Sequence, residues 1–155
     1  MPLRLRSTAF EHMEEIPARF TCEGRDVSPP LAWSDPPEGT VSFALIVDDP
    51  DAPDPGAPKT IWVHWVLYNI PKGVHSLSEG TRDFGGGVSG QNDWKRTGYR
   101  GPCPPIGKHR YFFKLFALDA VLDDLATPTK ASLENAMKGH ILGSAQLIGT
   151  YEKTH

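Results

Sequence analysis

The chain has 155 residues, of which 15 are glycine and 15 proline, so these two types make up about a fifth of it against roughly 12% in an average protein. Proline blocks helix interiors and glycine fills turns, which excludes a helical bundle and points to a β-rich class with short elements. Hydrophobic residues at 39% and charged residues at 23% exclude a disordered or collagen-like chain, and a formal charge of −3 excludes a general attraction to nucleic acid or acidic lipid.

This length suits one domain, over 1–155. The first twenty residues contain no apolar core of signal-peptide type, and no run approaches the roughly 18 apolar residues that cross a bilayer, so a cytoplasmic address is expected. A strand is predicted at 3–7. Cys22 and Cys103 are the only cysteines, too few for a disulfide framework or a four-ligand zinc site, and in a reducing compartment both are expected as thiols. In 41–48, Val41, Phe43, Leu45 and Val47 oppose Ala44 and Ile46. In 61–69, Ile61, Val63, Trp65 and Leu67 oppose Trp62, Val66 and Tyr68. Both segments read as central strands covered on two faces. Strands follow at 110–118 and 144–151, with a helix at 129–141 that has Thr129 as N-cap, Leu133, Met137 and Ile141 along one side, and Gly139 or Gly143 as its end. The connections 21–40, 50–60 and 71–109 are long and polar, as expected of segments that build a site.

Two glycine patterns are set aside. Gly85 to Gly90 matches a dinucleotide fingerprint, but no strand leads into it and no amphipathic helix follows. Gly87-Val88-Ser89-Gly90-Gln91 fails the nucleophile-elbow pattern at its last position.

Three clusters can carry chemistry. Asp49 ends a strand, and the two prolines of Pro50-Asp51-Ala52-Pro53 turn the chain there. Trp62 and His64 are two apart and share one strand face, as do His109 and Tyr111. The segment Tyr99-Arg100-Gly101-Pro102-Cys103-Pro104-Pro105 is a stiff, donor-poor loop in which Gly101 lets a ligand approach the backbone. Each residue also has a purely structural reading: the histidines as hydrogen-bonded core residues, Trp62 and Tyr111 as core aromatics, Asp51 as the partner of Arg110, and Cys103 as a small buried hydrophobe.

Asp49-Pro50-Asp51-Ala52-Pro53, Trp62-Val63-His64-Trp65 and Gly101-Pro102-Cys103-Pro104-Pro105 with His109-Arg110-Tyr111 resemble the two signature regions of the phosphatidylethanolamine-binding protein family. Asp26 to Trp33, Gly139-His140-Ile141-Leu142 and Gly149-Thr150-Tyr151 extend the resemblance, to its bacterial and archaeal branch, over nearly the whole chain. The resemblance implies a mainly β fold: a sandwich of antiparallel sheets with a βαβ element and one or two short helices. It also implies a pocket for a small anion such as a phosphate, a phosphomonoester or a phospholipid head group. By motif position Asp49, Pro53, Trp62, His64, Gly101, Cys103, His109 and Tyr111 line that pocket, with Tyr99, Pro102 and Pro104 at its rim. Cys103 stands where the eukaryotic pattern has a glycine, and Val63-His64 where it has a histidine pair. The eukaryotic carboxy-terminal extension is missing, so a kinase-regulating role does not carry over.

In this reading Asp49 orients and protonates His64 or His109, which donate to the ligand together with the Tyr111 hydroxyl and a backbone N–H of 101–103. The expected function is that of a binding or regulatory module without a cofactor. Inhibition of a serine protease or control of a signalling protein is the alternative, and a homodimer is compatible with the branch. A hydrolase using Cys103 and His109, or a metal site of Asp49, Asp51, His64 and His109, has no recognisable spacing behind it.

Overall fold

The computed structural model describes residues 2–154, so Met1 and His155, the two ends of the domain expected over 1–155, lie outside the described residues. Eight strands and one α-helix follow in order: β1 (Arg4–Arg6), β2 (Leu31–Ser34), β3 (Ser42–Ala52), β4 (Thr60–Pro71), β5 (Ser76–Leu77), β6 (Val88–Ser89), β7 (Lys108–Leu118), α1 (Lys130–Met137) and β8 (Ile141–Glu152). A single 3-10 turn spans Ala18–Phe20. The strands form a three-stranded sheet, β1-β2-β5, and a five-stranded sheet, β6-β4-β3-β7-β8. All pairings between these strands are antiparallel. The segment β7-α1-β8 is strand–helix–strand in sequence, but its strands are antiparallel neighbours and not the parallel strands of a crossover.

The five predicted strands are present, four of them longer than expected at one or both ends. The short β2, β5 and β6 fall in stretches read as connections. Their two to four residues carry too little periodicity to stand out, and they exist because a neighbouring strand supplies hydrogen bonds. The helix stops at Met137, four residues short of the predicted end. Gly139 takes φ +82° just beyond it, and Ile141 joins β8 opposite Leu118. Its start is as expected: the Thr129 side chain accepts from the Ser132 N–H, and the Ser132 hydroxyl accepts from the Thr129 N–H.

Two apolar layers flank the large sheet. Phe43, Leu45 and Val47 of β3 meet Leu5, Leu31, Trp33 and Leu77 of the small sheet, while Ala44 and Ile46 face Leu133 and Met137 of α1. Strict alternation fails in β4. Val47 pairs with Trp65 but Asp48 pairs with Val63, so His64 is an extra residue, a bulge. Trp65 consequently joins the layer of Leu67 and Ile70, and His64 packs beside Tyr111 of that same layer, while Val63 and Val66 lie on the opposite face. A second irregularity surrounds Asn69, which takes φ +55°. Its side-chain amide donates to the Leu122 carbonyl and accepts from the Leu122 N–H at 2.9 and 2.8 Å.

The expectation of free thiols is overturned. Cys22 and Cys103 form a disulfide with their Cα atoms 5.4 Å apart. The loops that carry them are brought together by other bonds: the Cys22 N–H donates to the Pro102 carbonyl at 3.1 Å and the Tyr99 hydroxyl to the Phe20 carbonyl at 2.7 Å. A crosslink across 81 residues of sequence restricts the unfolded chain, so the Cys22→Ser/Cys103→Ser variant is expected to unfold with a free energy about 2–5 kcal/mol lower in urea. Thiol titration of the unfolded, unreduced protein is expected to find no free thiol; two reactive thiols would contradict the bond.

Candidate functional site

Where β3, β4 and β7 end together, a cavity of about 440 Å³ opens. Asp49 and Ala52 come from β3, Thr60, Trp62 and His64 from β4, and His109 and Tyr111 from β7; Pro53, Trp94, Cys103, Pro104 and Pro105 come from loops. Of the eight residues expected to line one pocket, seven are together here. Pro104, expected at the rim, is part of the wall.

Three residues lie elsewhere. Gly101 donates its N–H to Asp26 Oδ1 at 2.7 Å, and a Cβ placed on it would come within 2.1 Å of the Phe20 carbonyl oxygen. Its missing side chain admits a neighbouring loop, and its N–H is not free for a ligand. Pro102 is buried against Cys22, and Tyr99 packs edge-on against Trp65 in the wall of a different cavity.

Ala52, Thr60, Trp94 and Pro105 are wall residues that sequence reading did not assign, and Trp94 is the largest of them. It sits in the polar 91–98 loop, where no periodicity points to a function. Asp93 fixes it: the Asp93 N–H donates to the Val63 carbonyl and its carboxylate accepts from the Val63 N–H, at 2.9 and 2.7 Å. Asn92 closes the loop by accepting from the Trp94 and Arg96 N–H groups. The Trp94 ring then meets Trp62 and His64 edge to face, with centroids 5.5 and 5.0 Å away, and the Arg100 guanidinium lies 5.2 Å from its centre. A lone aromatic residue inside a polar, charged loop was the available signal.

The two histidines do different work. His109 is fully buried, with Nδ1 2.6 Å from Asp49 Oδ2 and Nε2 2.8 and 3.1 Å from the carbonyl oxygens of Ile106 and Pro53. Carbonyl oxygens only accept, so Nε2 carries a hydrogen, and one further proton is shared between Nδ1 and the carboxylate. Both proton placements leave the pair neutral as a unit. Burial pushes the Asp49 carboxyl above its ordinary range, against the bonds from His109 and from the Asp51 N–H at 2.7 Å. Both His109 nitrogens are therefore occupied by the protein, which overturns the expectation that they donate to a ligand.

His64 does not meet Asp49 as a proton partner. Its Nδ1 donates to the Arg100 carbonyl at 2.7 Å, and its ring packs edge-on to Tyr111 at 5.2 Å. Burial drives its pKa down to about 4, outweighing the Arg100 carbonyl that favours the charged form. Near neutral pH His64 is thus an uncharged imidazole, and Nε2 is left as an acceptor; the expected imidazolium is absent because desolvation wins. Burial and the Asp49 carboxylate, through both its charge and a hydrogen bond, hold the Tyr111 hydroxyl well above its ordinary range, so it stays protonated and can donate.

Asp51 lies just outside this chemistry. Its carboxylate takes Nε and Nη2 of Arg110 at 2.9 Å each, plus the Arg110 N–H at 2.9 Å, and the paired guanidinium lowers the Asp51 pKa. This clamp ties the 50–53 turn to β7. Cys103 presents a disulfide sulfur to the cavity, so the thiol nucleophile considered for a hydrolase is not available.

A two-sheet antiparallel β protein with an aromatic, proline-walled cavity at the end of its larger sheet is the class this architecture defines. The chain belongs to the phosphatidylethanolamine-binding protein family, whose model matches residues 6–152. It is 48% identical to a UPF0098 protein of Methanothermobacter thermautotrophicus, over 97% of this chain and 99% of that one. It is 45% identical to a UPF0098 protein of Chlamydia trachomatis, over 97% and 99%. Among solved structures, a phosphatidylethanolamine-binding protein homologue from Chlamydia trachomatis superimposes with a TM-score of 0.92 at 45% identity, covering 98% of each chain. Escherichia coli YbcL, described as a member of the mammalian family, gives 0.87 at 32%, over 99% of this chain and 100% of that one. A carboxypeptidase Y inhibitor solved with its cognate proteinase shares the fold at a TM-score of 0.55 and 19% identity, covering 82% of this chain and 71% of that one. No helix among the described residues is long and apolar enough to cross a membrane.

Because the unfolded chain protonates His64 near pH 6.5 and the folded chain only near 4, the unfolded state binds more protons between those values. Stability is therefore expected to fall as pH drops through this window, by roughly 3 kcal/mol in total from this residue. Urea unfolding from pH 7 to pH 4 measures it, and His64→Phe is expected to flatten the profile. An equal slope in the variant would refute the assignment.

Proposed function

We propose that the cavity binds a small phosphorylated molecule through a singly protonated phosphate group, and that the protein acts by binding and not by catalysis. The observation that carries this reading is the pairing of an acceptor with a donor on one wall. His64 offers Nε2 as an acceptor near neutral pH and the Tyr111 hydroxyl is a donor, while Asp49 and His109 neutralise each other behind them. A phosphate monoanion is complementary: its P–OH donates to His64 and an unprotonated oxygen accepts from Tyr111. Trp62, Trp94 and the prolines suit an apolar remainder of the ligand. Arg100, over Trp94, brings a positive charge within one ring of the cavity.

This reading sets the pH dependence of binding. The relevant proton is on the ligand, so the affinity for phenyl phosphate is expected to fall about tenfold per pH unit above the ligand's second ionisation, near pH 6. Sulfate carries no such proton and is expected to bind weakly and evenly from pH 5 to 8. Calorimetric titration with both ligands tests this, and Tyr111→Phe is expected to weaken phenyl phosphate about tenfold. Phenyl phosphate binding that is flat in pH, or sulfate binding of equal strength, would contradict the proposal.

A further inference from the structure

A second cavity, of about 390 Å³, shares no lining residue with the first. It lies among the loops at 26–28, 80–84 and 97–99, with Trp65 and Ser89 of the large sheet also lining it. Two of its wall residues carry side-chain polar atoms that the protein leaves without a partner, and one of these atoms is wholly buried. Ser28 is only 3% exposed, yet its hydroxyl makes no hydrogen bond. Trp65 carries a wholly buried side-chain nitrogen, Nε1, that has no partner. Ser89 brings a second hydroxyl without a side-chain hydrogen bond.

The charges and rings of this cavity restrict what complements it. Asp26 and Arg82 both line it, so formal charge cancels across the walls. Asp26 spends Oδ1 on the Gly101 N–H and makes no hydrogen bond through Oδ2. Phe84 and Tyr99 add aromatic surface. A zwitterion would address Asp26 and Arg82 but leave the Ser28 and Ser89 hydroxyls without partners. A molecule bearing several hydroxyl groups both donates and accepts, and it can engage the carboxylate, the guanidinium and the serines together.

We propose that this cavity is a second binding site, for a small uncharged polyhydroxylated molecule of the mono- or disaccharide class. It is independent of the phosphate reading of the first cavity. The test is amide and indole NMR of the full chain titrated with glucose, N-acetylglucosamine and maltose, and separately with glycine betaine and inorganic phosphate. At least one sugar is expected to shift the Trp65 indole N–H and the Ser28 and Gly98 amides saturably, with the Trp62 and Trp94 indole signals unmoved. Ser28→Ala is expected to weaken that sugar about tenfold, and Thr97→Trp, at an exposed lining position, to abolish its binding. Unchanged Trp62 and Trp94 signals in both variants report that the fold is intact. The absence of a saturable shift with every sugar at about 100 mM would overturn the site and leave a water-filled cavity. Saturation by betaine alone would overturn the ligand class, and equal sugar affinity in Ser28→Ala would overturn the role of the hydroxyl.

Discussion

The contact between Asp49 and His109 sets the conditions for everything around it. A buried carboxylate facing a buried imidazole at 2.6 Å would be costly as two separate charges, but sharing one proton makes the pair neutral as a unit. The pair joins the end of β3 to the start of β7, and the carbonyls of Ile106 and Pro53 close on the outer nitrogen. The Asp51–Arg110 clamp makes the same junction from its more exposed side. Two strand ends and the turn between β3 and β4 are thereby held in register, and the cavity is the space they leave.

Once Asp49 is committed to His109, His64 has no carboxylate hydrogen-bonded to it, and the field of Asp48 favours its charged form too weakly to offset burial. Its fate follows from magnitudes. A shift from about 6.5 to about 4 corresponds to roughly 3 kcal/mol against the charged form, the part of the desolvation penalty that its bond to the Arg100 carbonyl does not offset. The cavity therefore presents a neutral acceptor where an imidazolium was expected. The bulge that places His64 beside Tyr111 also turns Trp65 toward the inter-sheet layer, so one irregularity in β4 serves the walls of both cavities.

The loops between the sheets are joined by short polar contacts and a disulfide. Gly101 to Asp26, Tyr99 to Phe20, Cys22 to Pro102 and the Cys22–Cys103 disulfide stitch the 20–26 loop to the 99–103 loop. That seam has Cys103 facing the first cavity, and Asp26 and Tyr99 facing the second. Glycine at 101 is required because any side chain there would collide with the Phe20 carbonyl. The loop's prolines have separate roles as well: Pro104 and Pro105 wall the first cavity, and Pro102 packs the seam.

The sequence by itself determined the β class, four long strands and the short β1, the helix start and the motif residues gathered at the end of the large sheet. These rest on local chemistry: period-two alternation and a threonine cap, whereas β3 runs past Pro50 to Ala52 with an irregularity in its pairing there. Tertiary structure alone decided which histidine meets Asp49, that His64 loses its charge, that Cys22 reaches Cys103, and that Gly101 and Tyr99 turn away from the cavity while Trp94 turns in. Each of these depends on distances between residues far apart in the chain. A bulge of one residue, a loop crossing over another, or the removal of water from one imidazole leaves no periodic mark in the sequence, yet each sets where a side chain points and whether it holds a proton.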